Sequence, residues 1–455
     1  MLLVSSSAYA YVYTQQSQTI TLTIKHKLTD AFIAYRDTTT TLNTVKSRTW
    51  TGNTSSWTTQ SELPNAGSPV RTVRVAYCPI QARSYEKIVV TLSDDGYLDA
   101  NVWNGTAWIT TSNIGFVGTT GNAYRPFDIC YEKTTGNALL AYGVFNSNPH
   151  RDLGYKQWNF NSGWSSEQYM DDPLKNDVDN YWIEMASNPT IGSNEITVVC
   201  LSSDGHSEGC IWNNSSWEVT PMKLDTNVAN LYTECIAVAY EQQSGTAWTA
   251  VGSASVANTF SIRSHINGSW NATKTNPNVG NVPNWCTLKA DPSSNKLMLV
   301  SVGASSHLDI IYWAGAGSWT VNGGSPAFTE DAAVDTSSQR CADFAWEPTA
   351  SKGLLVWGTT AGQIRYQPFD GAGWGTSSDT AMGVYIHPWV QLKTNTRSLT
   401  GDSKILGGIM GGTNFDIGVV KWDGSTFSVV GENIVSANAG LVTYECFELE
   451  FKNYA

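Results

Sequence analysis

One short phrase recurs eight times along this chain of 455 residues. In each copy an aromatic or apolar residue ends a strand, a tight polar turn follows, and a second aromatic residue opens the next strand, as in NVWNGTAW at Trp103 and Trp108. The second aromatic positions are Trp57, Trp108, Trp164, Trp217, Trp270, Trp319, Trp374 and Phe427. Because these positions are separated by about 53 residues throughout, the chain is a series of similar structural units.

Each interval contains four short strand-like runs separated by turn residues. The second interval contains RTVRVAY, EKIVVTLS, YLDANVW and AWITTS. Four strands per repeat are the content of one β-propeller blade, and the Asn-Gly and Asp-Gly steps supply the positive φ that a tight hairpin turn requires. The sequence therefore predicts an all-β fold, an eight-bladed β-propeller of four-stranded blades over residues 28–455.

The end of the chain is expected to close the ring. The segment GLVTYECFELEFK resembles NLYTECIAVAYE, which opens the fifth block, and no hairpin follows it. The first block lacks an inner strand, so we expect this C-terminal strand to pair with the N-terminal blade, formed by AFIAYRD, TVKSRTW and SWTTQS. Such closure would remove both exposed sheet edges. Thirteen of the 19 tryptophans lie in the recurring phrase, which predicts that they form the core between blades.

The W-[ND]-G-x-x-W form of the phrase, as at Trp103 to Trp108, resembles the blade repeats of secreted β-propellers on bacterial and archaeal surfaces. The resemblance covers roughly residues 28 to 452. It implies the propeller fold and an extracellular or cell-surface location, and it implies no catalytic residues. The chain departs from the pattern at His265-Ile266, where the first aromatic residue is lost, and at Phe427.

Residues 1–27 precede the blades as an N-terminal extension, interpreted as a signal remnant or an assembly strand. Ile20, Leu22 and Ile24 alternate with threonines, a period-two pattern typical of a half-buried strand. This strand either packs on its own propeller or adds to a sheet edge of a neighbouring copy. The second alternative predicts self-association of the protein through its N-terminal strand.

Composition and motifs exclude several classes. The net charge is −12 and no dense run of Lys and Arg is present, which argues against a nucleic-acid partner. No apolar run reaches the roughly 20 residues that span a bilayer.

Metalloprotease, hydrolase and nucleotide-binding motifs are missing, so we predict no metal, no cofactor and no catalytic residues. Calcium at residues 171–180 is an alternative, although the spacing departs from an EF-hand loop. Cys200 and Cys210 either form a disulfide or remain reduced.

The loops that enter the innermost strands carry flat aromatic rings and fixed charges, among them Arg74. Aromatic rings stack on sugar faces, and Arg or Glu side chains hydrogen-bond hydroxyl and carboxylate groups. These loops therefore indicate a ligand site at one mouth of the central channel; the alternative is a channel plugged by ion pairs between blades. The candidate ligand-binding residues are Arg71, Arg125, Trp182, Glu184, Tyr232, Glu234, Trp285, Arg340, Trp389 and Glu445.

These observations favour a non-catalytic extracellular β-propeller that serves as a structural or recognition subunit of a cell-surface or filamentous assembly. The first alternative is a carbohydrate-binding, lectin-like propeller with a glycan partner. The second alternative is a glycan-processing hydrolase or lyase, which no sequence motif supports.

Overall fold

In the computed structural model the described part of the chain forms eight antiparallel sheets arranged as the blades of a propeller. The described residues are 30–38, 44–52, 56–64, 67–118, 124–144, 153–170, 178–218, 221–329, 331, 333–380, 382, 386–398, 402–411, 415–436, 439 and 443–452. The predicted strand at Ile20, Leu22 and Ile24 lies outside these residues, as does most of the segment 171–180.

The blades are numbered along the chain. Blade 1 contains β1 (Ala31–Arg36), β2 (Val45–Thr51), β3 (Ser56–Trp57), β4 (Ser61–Glu62) and, innermost, β35 (Phe447–Phe451). Blade 2 contains β5 (Val70–Tyr77), β6 (Lys87–Ser93), β7 (Tyr97–Trp103) and β8 (Trp108–Phe116), with a 3₁₀ helix at Gln81–Arg83. Blade 3 contains β9 (Phe127–Tyr131), β10 (Ala138–Gly143), β11 (Leu153–Asn159), β12 (Gly163–Trp164) and β13 (Gln168–Met170). Blade 4 contains β14 (Asn180–Ser187), β15 (Glu195–Ser202), β16 (Ser207–Asn213), β17 (Ser216–Trp217) and β18 (Met222–Asp225).

The remaining blades have four strands each. Blade 5 contains β19 (Ile236–Tyr240), β20 (Ala247–Ser253), β21 (Thr259–Ile266) and β22 (Ser269–Trp270). Blade 6 contains β23 (Pro283–Ala290), β24 (Leu297–Gly303), β25 (Leu308–Trp313) and β26 (Thr320–Val321). Blade 7 contains β27 (Ala342–Trp346), β28 (Gly353–Gly358), β29 (Ile364–Phe369) and β30 (Ser378–Thr380). Blade 8 contains β31 (Trp389–Thr394), β32 (Ile405–Gly411), β33 (Asp416–Trp422) and β34 (Phe427–Ser436).

The predicted ring closure is confirmed. Strand β35 pairs antiparallel with β1, with Phe447 opposite Tyr35 and Phe451 opposite Ala31. The backbone N–H of Arg36 continues the ladder by donating to Cys446 O at 2.9 Å. Each innermost strand contacts the innermost strands of both neighbouring blades, so the two ends of the chain meet inside a closed ring.

The recurring aromatic pairs pack between blades, as predicted. Trp103 and Trp108 are register partners on β7 and β8 of blade 2, with ring centroids 5.4 Å apart, and Trp108 packs against Phe32 of blade 1 at 6.2 Å. Trp248 of blade 5 packs against Trp313 and Trp319 of blade 6 at 4.8 and 5.4 Å. Packing these rings between radially arranged sheets removes their apolar surface from water, which stabilises the propeller. This burial is needed in a chain with only 15% charged residues.

Sequence analysis missed the polar partners of the first tryptophan in these pairs. The indole N–H of Trp212 in blade 4 donates to the carboxylate of Glu132 in blade 3 at 2.8 Å. Trp422 in blade 8 donates in the same way to Glu347 in blade 7 at 2.9 Å. Each glutamate directly follows the innermost strand of its blade and is buried. The contact satisfies a buried donor and links neighbouring blades.

The departure from the phrase at His265 has a physical explanation. The buried His265 Nε2 of blade 5 lies 3.0 Å from the carboxylate of Glu218 in blade 4, and Nδ1 lies 3.7 Å from that of Glu195. Burial opposes protonation of the ring, but the nearby carboxylates of Glu195 and Glu218 raise the pKa of His265 above its ordinary value. His265 therefore takes the place of the missing indole and links blade 5 to two carboxylates of blade 4.

This link predicts a pH-dependent stability. Because the folded-state pKa of His265 is raised, its protonation stabilises the fold fully below about pH 6.5, and this stabilisation is lost as the pH rises through the folded-state pKa. We expect the melting temperature of the wild type to fall with rising pH relative to that of His265→Gln. Glu218→Gln, which removes the carboxylate 3.0 Å from Nε2, should reduce the same slope. Identical slopes for wild type and His265→Gln would contradict the argument.

All eight cysteines are free thiols, Cys200 and Cys210 included. No helix among the described residues is long and apolar enough to cross a membrane.

Candidate functional site

Three tryptophans close the channel at the mouth where the chain enters the innermost strands, here called the upper mouth. Trp182, Trp285 and Trp389 come from blades 4, 6 and 8 and are buried. Trp285 meets Trp182 edge to face at 5.5 Å and Trp389 at 5.4 Å. A β-bulge precedes both Trp182 and Trp285, and such bulges change the direction in which the following side chains point. These three residues form the tryptophan plug.

The odd-numbered blades contribute charged side chains at the matching positions. Glu445, Arg125, Glu234 and Arg340 precede the innermost strands of blades 1, 3, 5 and 7, so acidic and basic residues alternate around the axis. Arg125 donates to Glu234, and Arg340 donates to Glu445. All four side chains are buried. We call this set the charge ring; it neutralises its own charges in pairs.

A second layer of charges lies further along the innermost strands. Arg74 on β5 lies 3.1 Å from Glu184 and 3.4 Å from both Asp128 and Glu448. Glu184 also accepts from Arg125 at 2.9 Å, which joins this layer to the charge ring. Asp128 and Glu448 were not among the predicted residues, because they lie three residues after Arg125 and Glu445, beyond the strand entries on which the prediction rested.

The pKa values of the Glu184 and Glu234 carboxyl groups are shifted in opposite directions. Burial and the nearby charge of Glu184 raise the pKa of Glu234 to about 8, against the opposing effect of Arg125. Burial also opposes ionisation of Glu184, but Arg125 and Arg74 together lower its pKa to about 2. The arginines therefore favour the ionised form of Glu184, whereas burial beside that charge disfavours ionisation of Glu234.

A stack of three tyrosines lies on the plug at the upper mouth. The rings of Tyr124 and Tyr181 are parallel within 12° at a centroid distance of 4.0 Å, and Tyr232 extends the stack at 6.3 Å from Tyr124. Tyr124 also meets Trp182 edge to face. Tyr232 is 65% exposed, so the outer end of this tyrosine stack faces solvent. Only Tyr232 was predicted, although Tyr124 and Tyr181 directly precede the predicted residues Arg125 and Trp182.

Arg71 belongs to neither layer. It occupies the bulge of β5, where its Nε donates to Asp94 at 2.6 Å and its guanidinium lies over the ring of Tyr444 at 5.7 Å. The structure thus separates the ten predicted residues into the tryptophan plug, the charge ring with Glu184, the exposed Tyr232 and the peripheral Arg71.

A cavity of about 320 Å³ occupies the channel on the far side of these charges. Its walls include residues near the ends of the innermost strands, such as Tyr77, Lys289 and Phe451, so it extends towards the opposite, lower mouth. No group of three or more His, Cys, Asp or Glu side chains within the described residues is placed to hold a metal ion.

Comparisons with known proteins identify a similar fold. No family model matches the chain, and no curated protein matches it. BP39L lectin from Burkholderia pseudomallei aligns with a TM-score of 0.56 and 11% identity over 80% of this chain and 98% of that chain. SapL1 lectin, solved with alpha methyl fucoside, gives 0.42 and 12% over 81% and 96%. The Aleuria aurantia lectin, a six-bladed propeller that recognises fucose, gives 0.37 and 12% over 65% and 94%. At 11% identity the likeness to BP39L lectin shows a shared propeller fold.

Proposed function

We propose that this protein is a carbohydrate-binding β-propeller in which the tyrosine stack at the upper mouth holds a sugar ring. The observation that carries the proposal is the exposed ring of Tyr232 at the end of that stack. A flat aromatic surface offers a sugar its apolar C–H face to stack on, while the sugar hydroxyls remain free for polar contacts. The lectin fold of the Burkholderia pseudomallei protein supports the same class of ligand.

The layers beneath the stack make it rigid. Tyr124 rests against Trp182 of the plug, and Tyr181 lies flat against Tyr124, so neither ring has to be ordered when a ligand arrives. Binding to a preformed surface avoids the entropic cost of fixing side chains. Asn230 fixes the loop that carries the exposed ring, because its Oδ1 accepts from the backbone N–H of Tyr232 at 3.0 Å and its amide donates to Asn284 at 3.1 Å. In this proposal the buried charge ring supports the platform instead of touching the sugar.

The platform predicts a selective loss of binding. Tyr232→Ala removes the exposed stacking face, and a single aromatic contact is worth roughly 1.5 kcal/mol, so we expect about a tenfold weaker affinity for the glycans bound by wild type. A glycan array identifies those glycans and calorimetry measures the change. The control is Tyr97→Ala, because Tyr97 is 37% exposed and packs on Phe116 away from the stack. The proposal is refuted if the wild type binds no glycan, or if Tyr232→Ala and Tyr97→Ala lose glycan affinity equally.

An extracellular or cell-surface location belongs to the same proposal and rests on the sequence resemblance. Self-association through Ile20, Leu22 and Ile24 and the hydrolase or lyase alternative stay predictions.

A further inference from the structure

The cavity at the lower mouth is separate from the tyrosine stack. The tryptophan plug and the paired charges close it from above, and the side chains of Lys289 and Lys393, which are 23% and 20% exposed, lie along its walls. Its volume of about 320 Å³ is near the lower end of the roughly 300–1,000 Å³ found for small-molecule pockets. The cavity therefore suits a small ligand that enters from the lower mouth.

The carboxylates in its wall are already engaged by donors of the protein. Asp128 accepts from the backbone N–H of Met185 at 2.9 Å, and Glu448 and Glu450 accept from Lys393 at 3.0 and 2.8 Å. Glu184, the fourth carboxylate of the lining, accepts from the arginines above. A bound ligand would thus find few carboxylate oxygens free to accept a hydrogen bond.

Donors, in contrast, remain available in the same wall. The lining contains Lys133 and four cations that already form ion pairs with carboxylates: Arg74, Lys289, Arg340 and Lys393. Within the described part of the chain, Lys133 has no ion pair and no side-chain hydrogen bond, and the buried Nε of Arg340 has no acceptor. Buried polar groups without partners are uncommon in folded proteins and call for water or a ligand. The surplus of donors favours a ligand that accepts hydrogen bonds and carries negative charge.

We propose that the lower cavity binds a small organic carboxylate of the size of a sugar acid, with Lys133 at its edge and Arg340 deeper in the wall. Burial lowers the pKa of both Lys133 and Lys289, and a bound anion would offset that loss by favouring the ammonium forms. Charge-assisted hydrogen bonds from ammonium and guanidinium groups are among the strongest in proteins. A neutral sugar of equal size would not form these charge-assisted hydrogen bonds.

The first test compares two ligands that differ in charge. Calorimetry of the full chain should detect binding of glucuronate and at least tenfold weaker binding of glucose. The same titration with Tyr232→Ala should give unchanged glucuronate affinity, because the tyrosine stack lies at the opposite mouth. Equal affinities for glucuronate and glucose, no glucuronate binding, or its loss in Tyr232→Ala would each overturn the proposal.

The second test removes the unpaired cation. Lys133→Gln should weaken glucuronate binding about tenfold, whereas Lys352→Gln, at an exposed lysine outside the cavity, should leave it unchanged. Melting temperatures of both variants establish that the fold is intact. Glucuronate affinity that does not change in a folded Lys133→Gln variant would overturn the assignment.

Discussion

Removal of residues 446–455 is expected to abolish cooperative folding of the entire propeller. The deleted segment contains β35, whose side chains Phe447, Leu449 and Phe451 are completely buried. Each such side chain contributes about 1.5–3 kcal/mol, and the deletion also removes Glu448 from the side of Arg74. Together these losses are comparable with the roughly 5–15 kcal/mol that stabilise a whole domain. Circular dichroism and gel filtration of the truncated chain should show loss of the folded monodisperse species.

Adding the missing strand as a separate peptide tests whether the loss of β35, and not the shortening of the chain as such, causes the unfolding. A synthetic peptide covering residues 443–455 should restore the folded signal by pairing with the open edge of β1, as β35 does in the intact chain. A scrambled peptide of the same composition should not. A truncated chain that melts in one transition at the wild-type temperature would show that the ring does not need its closing strand.

Ring closure also explains why the fold was predictable. The repeated aromatic phrase determines each hairpin locally, and the likeness of Glu445-Cys446 and the residues that follow to Glu234-Cys235 identifies the last strand as an innermost one. Both glutamates then occupy equivalent positions in the charge ring. Local pattern and global topology agree at most blades, a consistency expected of a sequence that specifies one fold.

The candidate site was harder to predict from the sequence than the fold, because strand direction and ring closure decide which side chains reach the axis. Residues such as Asp128 and Glu448 alternate with apolar neighbours along their strands, which is equally typical of a solvent-facing side. Which face of an innermost strand points to the axis depends on the closed ring and on bulges such as the one before Trp182. A usable signal did exist for the contacts between blades: Tyr131-Glu132 and Trp346-Glu347 repeat an aromatic residue followed by glutamate at the end of an innermost strand.

Replacement of Arg125 by methionine should destabilise the protein by about 3–5 kcal/mol, because it leaves buried carboxyl groups without their cation. Arg125 is 2% exposed and donates to Glu184, to Glu234, and to the backbone carbonyls of Phe127 and Ile183 at 2.7 and 2.5 Å. Urea denaturation with an unchanged m value measures the loss.

The matched control is Arg365→Met, since Arg365 also bridges two carboxylates, those of Asp331 and Asp379, but its side chain is 34% exposed. Water and salt screen such a pair, so its removal should cost less than about 1 kcal/mol. Burial, not the number of ion pairs, is then what makes Arg125 costly to remove.

Glu234→Gln should recover part of the loss in the Arg125→Met protein, because the amide needs no cation and resembles the protonated carboxyl that burial already favours. Equal losses at the two arginines, or no recovery in the double variant, would mean that the channel charges are solvated rather than buried together.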